Sequence, residues 1–257
     1  MTQELTLFDI PTAKGAETWS PDVWRVRMVL NYKRLPYKTE WVDMPDIGNV
    51  GQRIGAKTTI QKPGSKTQEM LWTCPMLIDP NHPNALGKSV VLSGSQVIVE
   101  YLEDAYPERK VIPEGTAALH AAWSDFITQN IEEKIWTLVV TLCPNILSER
   151  GKQYFVTTRE TWWGPLVELC PDREKAWAGV KEGLDKVAAA LDSNGEDDGA
   201  NLRVVPGRET YADFVMLSLL LWAGAIVQRD EWDTLRSWNG GRWGRILDFH
   251  TDVVKIQ

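Results

Sequence analysis

The pattern of apolar residues changes near residue 110. Before that point, short segments that alternate with period two are interleaved with helical patterns; after it, strand patterns nearly vanish and long helical patterns dominate. Mixed elements followed by a run of helices favour two separate cores. We therefore predict an α/β domain over residues 1–109 and an all-helical domain over residues 110–257, each of ordinary domain size.

The first domain has the predicted order β-α-β-α-β-β-α. Its strands alternate bulky and polar residues, and its helices begin at proline or serine. A polar segment without periodicity, residues 57–69, is predicted to be a loop. The predicted strands are residues 5–10, 37–42, 76–79 and 90–92, and the predicted helices start at Pro21, Pro45 and Ser95.

The second domain is predicted to contain four helices, over residues 120–142, 153–169, 174–191 and 211–227, with an exposed acidic loop at 193–201. The longest apolar run, residues 214–227, is shorter than the ~20 residues that cross a bilayer. It is therefore expected to be a buried core helix. Thr210 before it and Asp213 three residues later form a capping signature, which we assign to folding.

Charge and cysteine content exclude several functions. The formal net charge of −7 argues against nucleic acid or an anionic membrane as the main partner, because either requires a basic surface. The three cysteines are widely spaced and form no CxxC pair or zinc-type cluster. Residues 1–15 lack the segments of a secretion signal. We expect a cytoplasmic protein without a structural metal.

Cys74 and Pro75 stand immediately before a predicted strand. A peptide bond that precedes proline adopts the cis form far more readily than any other. A cis bond here would turn the N–H and C=O groups of Cys74 outward, where they can pair with an extended peptide ligand. The sequence spacing alone leaves the cis and trans forms open.

Two serines stand at predicted helix starts. Ser20 precedes Pro21, and Ser95 follows Ser93 and Gly94. A helix N-terminus with a serine hydroxyl suits a bound carboxylate, although the same serine can simply cap its helix. Both interpretations stay open at this point.

Four motifs follow one another along the chain: S-P-x-x-x-R-V-R (20–27), C-P-M-L (74–77), S-x-x-I-x-x-Y-L (95–102) and T-x-A-D (210–213). In their order and spacing they resemble the cytosolic glutathione transferases, over nearly the full chain. Two further segments, RMVLNY at residues 27–32 and YFVTTRETWWG at 154–164, are similar to a fungal class of that family related to bacterial lignin β-etherases.

The resemblance implies a thioredoxin-like first domain that holds glutathione as co-substrate. It implies a catalytic Ser20 whose hydroxyl stabilises the glutathione thiolate, a cis bond at Pro75, backbone pairing of Cys74 with the cysteinyl part, and Ser95 on the γ-glutamyl carboxylate. Gly94 departs from the pattern, because the family usually carries Glu or Asp there. This departure removes a partner for the γ-glutamyl ammonium group.

The resemblance leaves two functions open. The first is an enzyme that conjugates glutathione to hydrophobic or aromatic electrophiles in xenobiotic detoxification, or cleaves aryl ethers. The second is a ligandin, a binding protein for aromatic and phenolic compounds such as polyphenols. A homodimer is expected in either case. The 13 tryptophans suit such ligands, and the predicted walls of the hydrophobic site are Trp24, Trp123, Phe126 and Trp136.

Overall fold

The computed structural model describes residues 2–195 and 200–256. Four strands form a mixed sheet in the order β2-β1-β5-β6, in which β1 runs parallel to β2 and antiparallel to β5. The four predicted strands are confirmed. The strands are β1 (Leu5–Asp9), β2 (Tyr37–Trp41), β3 (Ile60–Gln61), β4 (Met70–Leu71), β5 (Met76–Asp79) and β6 (Val90–Ser93).

The prediction of a loop over residues 57–69 is wrong at its centre. β3 lies within it and pairs antiparallel with β4, with Ile60 opposite Leu71. Strands of two residues carry no periodicity, so the sequence pattern could not reveal them. This hairpin stands apart from the main sheet and forms a wall of the cavities described below.

Three helices complete the first half of the chain: α1 (Pro21–Lys33), α2 (Ile47–Ile54) and α3 (Ser95–Ala105). α1 starts at Pro21, where the missing N–H of proline costs no helical hydrogen bond, and it ends at Arg34 in the left-handed conformation. Together with the mixed sheet, these helices form the expected thioredoxin-like arrangement.

The second half of the chain is helical, as predicted. Segment 106–116 connects its first helix, α4, to α3. α4 and α5 are connected by a π-helical turn, Thr128–Glu132. α8 is buried almost throughout, which confirms the predicted core helix. The helices are α4 (Ala117–Ile127), α5 (Glu133–Val140), α6 (Glu149–Trp163), α7 (Arg173–Asp192), α8 (Tyr211–Ile226) and α9 (Arg229–Phe249).

Three features of the helical half differ from the prediction. The single helix predicted over 120–142 is divided by the π-helical turn into α4 and α5. α6 begins earlier and ends earlier than residues 153–169, because Ser148 caps its start and Gly164, at φ +82°, ends it before Pro165. α9 was not predicted; its two helical stretches meet at a non-helical turn over 238–241. The predicted loop 193–201 lies in part outside the described residues.

α1 and α8 join the two halves. The Nε of Arg25, on α1, donates to the hydroxyl of Ser218, on α8, at 3.2 Å. The start of α8 also contacts the segment that connects the halves, since the N–H of Tyr211 donates to the carbonyl of Val111 at 2.8 Å. Asp213 reaches back to the N–H of Thr210 at 2.8 Å, as the capping signature predicted. In the part of the chain that the structure describes, no helix combines the length and apolar character needed to cross a bilayer.

Two glycines of α7 provide a matched test of the packing between α7 and the π-helical turn. A Cβ added at Gly183 would lie 1.7 Å from the carbonyl oxygen of Asn130, whereas one added at Gly179 meets nothing within 4 Å. Gly183→Ala is expected to lower the free energy of unfolding by about 3 kcal/mol through overpacking. Gly179→Ala should raise it by ~0.5–1 kcal/mol. Urea denaturation of both variants measures the difference, and equal stabilities would contradict the packing.

Candidate active site

Two cavities meet at the start of β5. The first, here called the Ser95 cavity, has a volume of about 540 Å³ and is lined by Pro75, Gly94 and Ser95. The second, here called the Ser20 cavity, has a volume of about 350 Å³ and is lined by Ser20. Both contain Cys74 in their walls. The two cavities therefore bring together Ser20, Cys74, Pro75, Gly94 and Ser95, the positions that the first three motifs indicated for glutathione.

Cys74 forms the boundary between the cavities. The peptide bond between Cys74 and Pro75 is cis, which decides the question that the spacing left open. The N–H and C=O of Cys74 make no hydrogen bond to any residue that the structure describes. Unpaired backbone groups beside a cavity are available to a ligand.

The Ser95 cavity includes the first turn of α3. Gly94 precedes the helix at φ +87°, a conformation that glycine adopts without strain. The Ser95 hydroxyl makes no capping bond within its own helix; it donates to Oδ1 of Asp22, on α1, at 2.7 Å. The cap interpretation of Ser95 is therefore not what the structure shows.

Ser20 precedes α1 and is largely buried. Its side chain makes no capping hydrogen bond to the helix, although its carbonyl accepts the first helical bond from the N–H of Trp24 at 3.0 Å. The absence of a capping bond leaves the hydroxyl able to donate into the Ser20 cavity. The helix N-terminus beside it favours negative charge.

A buried network fixes the chain just before Ser20. Asp9 at the end of β1 accepts hydrogen bonds from the Thr18 hydroxyl at 2.6 Å and from the Ile10 N–H at 2.7 Å. It also forms an ion pair with Arg27 of α1, with Nη2 and Oδ2 2.8 Å apart. Thr18 is two residues from Ser20, so this network positions the hydroxyl.

The Ser20 cavity is walled by aromatic residues from both halves of the chain. Arg159 of α6 lies there with its guanidinium 4.8 Å from the Phe155 ring and 4.6 Å from the Trp162 ring. Burial lowers the pKa of Arg159, but an arginine stays protonated near neutral pH. The aromatic wall consists of Trp19, Trp72, Tyr154, Phe155 and Trp162.

The four aromatic residues predicted for the hydrophobic site lie elsewhere. Trp24 packs in the core, and Trp136 stacks edge to face on Trp163 with centroids 4.7 Å apart. Trp123 and Phe126 line a third cavity of about 610 Å³ between α4, α7 and α8. None of the four is among the residues that line the Ser20 cavity.

The sequence did contain a signal for the observed wall. Tyr154, Arg159 and Trp162 all fall in the segment YFVTTRETWWG, which contributed only to the resemblance. Their spacing places them on neighbouring faces of one helix. Which helix faces the Ser20 cavity depends on packing between distant elements, which spacing does not specify.

Burial makes two of the three cysteines unsuitable as nucleophiles. Burial raises the pKa of the Cys74 thiol well above its ordinary value, and burial also raises the pKa of Cys143 to about 12. Cys170 is partly exposed. A thiol must ionise to react, so chemistry at the site is not expected from Cys74 itself.

Thiol labelling tests this assignment. Iodoacetamide at pH 8 should modify Cys170 in the native protein, while Cys74 and Cys143 should stay unmodified until the protein is unfolded in urea. Peptide mass spectrometry identifies the modified residue. Labelling of Cys74 in the native state at the rate found in the unfolded state would contradict its burial.

Comparison with known proteins agrees with the fold. Residues 19–105 match the model of the glutathione S-transferase N-terminal domain, and residues 118–251 match that of the C-terminal domain. The glutathione S-transferase-like protein ustS of Aspergillus flavus is 29% identical over 227 residues, which are 85% of this chain and 80% of that protein.

Solved structures give the same result. Glutathione transferase GSTFuA3 from Phanerochaete chrysosporium is 29% identical, with all of both chains covered and a TM-score of 0.89. A glutathione S-transferase of Ceriporiopsis subvermispora, solved in complex with glutathione, is 30% identical, with 99% of both chains covered and a TM-score of 0.84. The chain belongs to the glutathione S-transferase family, and its similar structures include fungal members.

Proposed function

We propose that this protein is a glutathione transferase of the serine type, in which Ser20 stabilises the thiolate of bound glutathione. The observation that carries the proposal is the Ser20 hydroxyl, which is not used as a helix cap and lies in the wall of a cavity that adjoins Cys74. The complex of a 30% identical relative with glutathione supports the choice of co-substrate.

Glutathione is proposed to lie across both cavities. Its cysteinyl part pairs with the free N–H and C=O of Cys74, as a strand pairs with a sheet edge. Its γ-glutamyl carboxylate accepts hydrogen bonds from the backbone N–H groups of the first turn of α3, which begins at Ser95. The Ser95 hydroxyl itself donates to Asp22. The glutathione sulfur points into the Ser20 cavity. Cys74 lines both cavities, so this orientation brings the thiol towards Ser20.

Ser20 acts as a hydrogen-bond donor, not as a base. A free thiol has a pKa of about 8.5, so only a few per cent is ionised at neutral pH. A hydrogen bond to the thiolate contributes roughly 1.5–3 kcal/mol, and one pKa unit corresponds to about 1.36 kcal/mol. One bond from Ser20 therefore lowers the thiol pKa by about one to two units.

The electrophile is proposed to bind against Tyr154, Phe155 and Trp162. The sulfur attacks an electrophilic carbon, a C–S bond forms, and the electron pair of the broken bond leaves with the departing group. Arg159 lies among these rings as a cation, so it can stabilise an anionic leaving group such as a phenolate. Aryl ethers are one substrate class that releases a phenolate.

The oligomeric state, cellular location and domain boundary belong to the same proposal. The homodimer is supported by the family resemblance alone. The cytoplasmic location is supported by that resemblance and by three free cysteines. The proposed boundary at 109–110 is supported by segment 106–116, which joins α3 to α4 without being part of either helix. Light scattering of the purified protein measures the oligomeric state.

A second candidate function is a binding protein for aromatic compounds. The third cavity favours it, because Trp123 and Phe126 form part of an apolar wall there, away from Ser20. A ligand in that cavity would not meet the glutathione thiol, so its binding would not lead to conjugation.

Replacing the Ser20 hydroxyl tests the mechanism. Ser20→Ala should raise the pKa of the bound thiol by about one to two units and lower kcat at pH 7 roughly 8–25-fold through the smaller thiolate fraction, with little change in glutathione affinity. Ser20→Thr keeps a hydroxyl and should retain most of the activity. Ultraviolet absorbance of the thiolate against pH gives the pKa. An unchanged thiol pKa in Ser20→Ala would contradict the role of Ser20.

A matched pair of variants decides which cavity receives the aromatic ligand. Trp162→Leu alters the wall of the Ser20 cavity, and Phe126→Leu alters that of the third cavity; both side chains are partly exposed. With an aromatic electrophile, Trp162→Leu should raise KM about 10-fold through lost apolar contact, and Phe126→Leu should leave it unchanged. The reverse result, with weakened ligand binding only in Phe126→Leu, would favour the binding-protein function.

A further inference from the structure

The Ser95 cavity contains one carboxylate among the described residues that line it, that of Asp22. Asp22 lies in the first turn of α1, two residues after Ser20. Its side chain is about half exposed, at 50%, so the carboxylate is accessible from the cavity. Neither the motifs nor the steps proposed above use this residue.

The two oxygens of Asp22 differ in their partners. Oδ1 accepts the hydrogen bond from the Ser95 hydroxyl at 2.7 Å and lies 3.3 Å from Nη1 of Arg25. Oδ2 has no hydrogen-bond or ion-pair partner among the residues that the structure describes. A carboxylate oxygen accepts up to about two hydrogen bonds, so Oδ2 has capacity for a ligand donor.

The charges around Asp22 leave an excess of negative charge. Arg25 is shared, because its Nη2 also lies 3.4 Å from a carboxylate oxygen of Glu132. Two carboxylates therefore face one guanidinium. Arg25 therefore does not fully balance Asp22, and the negative charge left on its exposed side favours a cationic group of the ligand there.

The opposite side of the same cavity favours an anion. The first residues of α3, which begins at Ser95, supply backbone N–H groups without helical partners, and Lys57 also lines the cavity. A simple carboxylate would be attracted to these donors but repelled by Asp22. A group that carries a carboxylate and an ammonium on one carbon satisfies both sides.

We infer that Asp22 binds the α-ammonium group of the ligand's amino-acid end and thereby selects that end over a plain carboxylate. The inference rests on the proposed function, in which this end is the γ-glutamyl group of glutathione. Gly94 supplies no side chain to the cavity, and its φ of +87° disfavours any residue with a Cβ. Asp22, on a different element, therefore supplies the carboxylate that position 94 lacks.

The test pairs a change in the protein with a change in the ligand. Asp22→Asn keeps the shape and an acceptor for Ser95 but removes the charge. Calorimetry measures its affinity for glutathione and for the analogue in which the γ-glutamyl ammonium is replaced by hydrogen. Asp22→Asn should lower the affinity for glutathione about 10-fold. Its affinity for the analogue should be unchanged or higher. Asp104→Asn, which removes an exposed charge of α3 outside the cavity, is the control and should change neither affinity.

The outcomes separate this inference from the proposed function. If Asp22→Asn loses equal affinity for both ligands, Asp22 acts only by holding Ser95. If it loses affinity for neither, Asp22 does not contact the ligand. Either result overturns the inference while glutathione binding by the unaltered protein stands. If the unaltered protein binds no glutathione, the proposed function fails and the inference fails with it.

Discussion

A buried ion pair between Asp9 and Arg27 holds the candidate active site together. Both side chains are fully excluded from solvent. Removing one partner of such a pair typically costs about 3–5 kcal/mol, because the other charge is left buried and unpaired. Asp9 also accepts the hydrogen bond from Thr18, and Arg27 donates to the Tyr37 hydroxyl of β2 at 3.3 Å. The pair thus ties β1, β2 and α1 to the segment that presents Ser20.

The site is formed by the N-terminal ends of three elements, α1, β5 and α3, which are distant in sequence. Ser20 and Asp22 come from the start of α1, Cys74 from the residue before the cis proline, and Ser95 from the start of α3. The 2.7 Å hydrogen bond between Ser95 and Asp22 joins two of these starts directly. The helical half contributes the remaining wall through α6, so the site requires both domains.

Local sequence signals predicted the framework, and they singled out Ser20, Cys74 and Ser95, which the structure brings to two adjoining cavities. Strands with period two and helices that start at proline or serine were found where predicted, since these patterns depend on neighbouring residues. α9 was not predicted, because Asn239, Gly240 and Gly241 are typical turn residues and interrupt the helical pattern. All three have positive φ in the structure. The aromatic wall and the role of Asp22 were also not predicted, because both depend on contacts between elements that lie about 70 or more residues apart in the sequence.

The central claim is that binding to this protein ionises the glutathione thiol, and proton release measures it directly. Calorimetric titration of the unaltered protein at pH 7.5, repeated in buffers of different ionisation enthalpy, gives the number of protons released per glutathione bound. A thiol pKa lowered from about 8.5 by one to two units predicts the release of about 0.4–0.8 proton per glutathione bound. Glutathione binding without proton release would contradict the account, because the bound thiol would then be no more reactive than the free one.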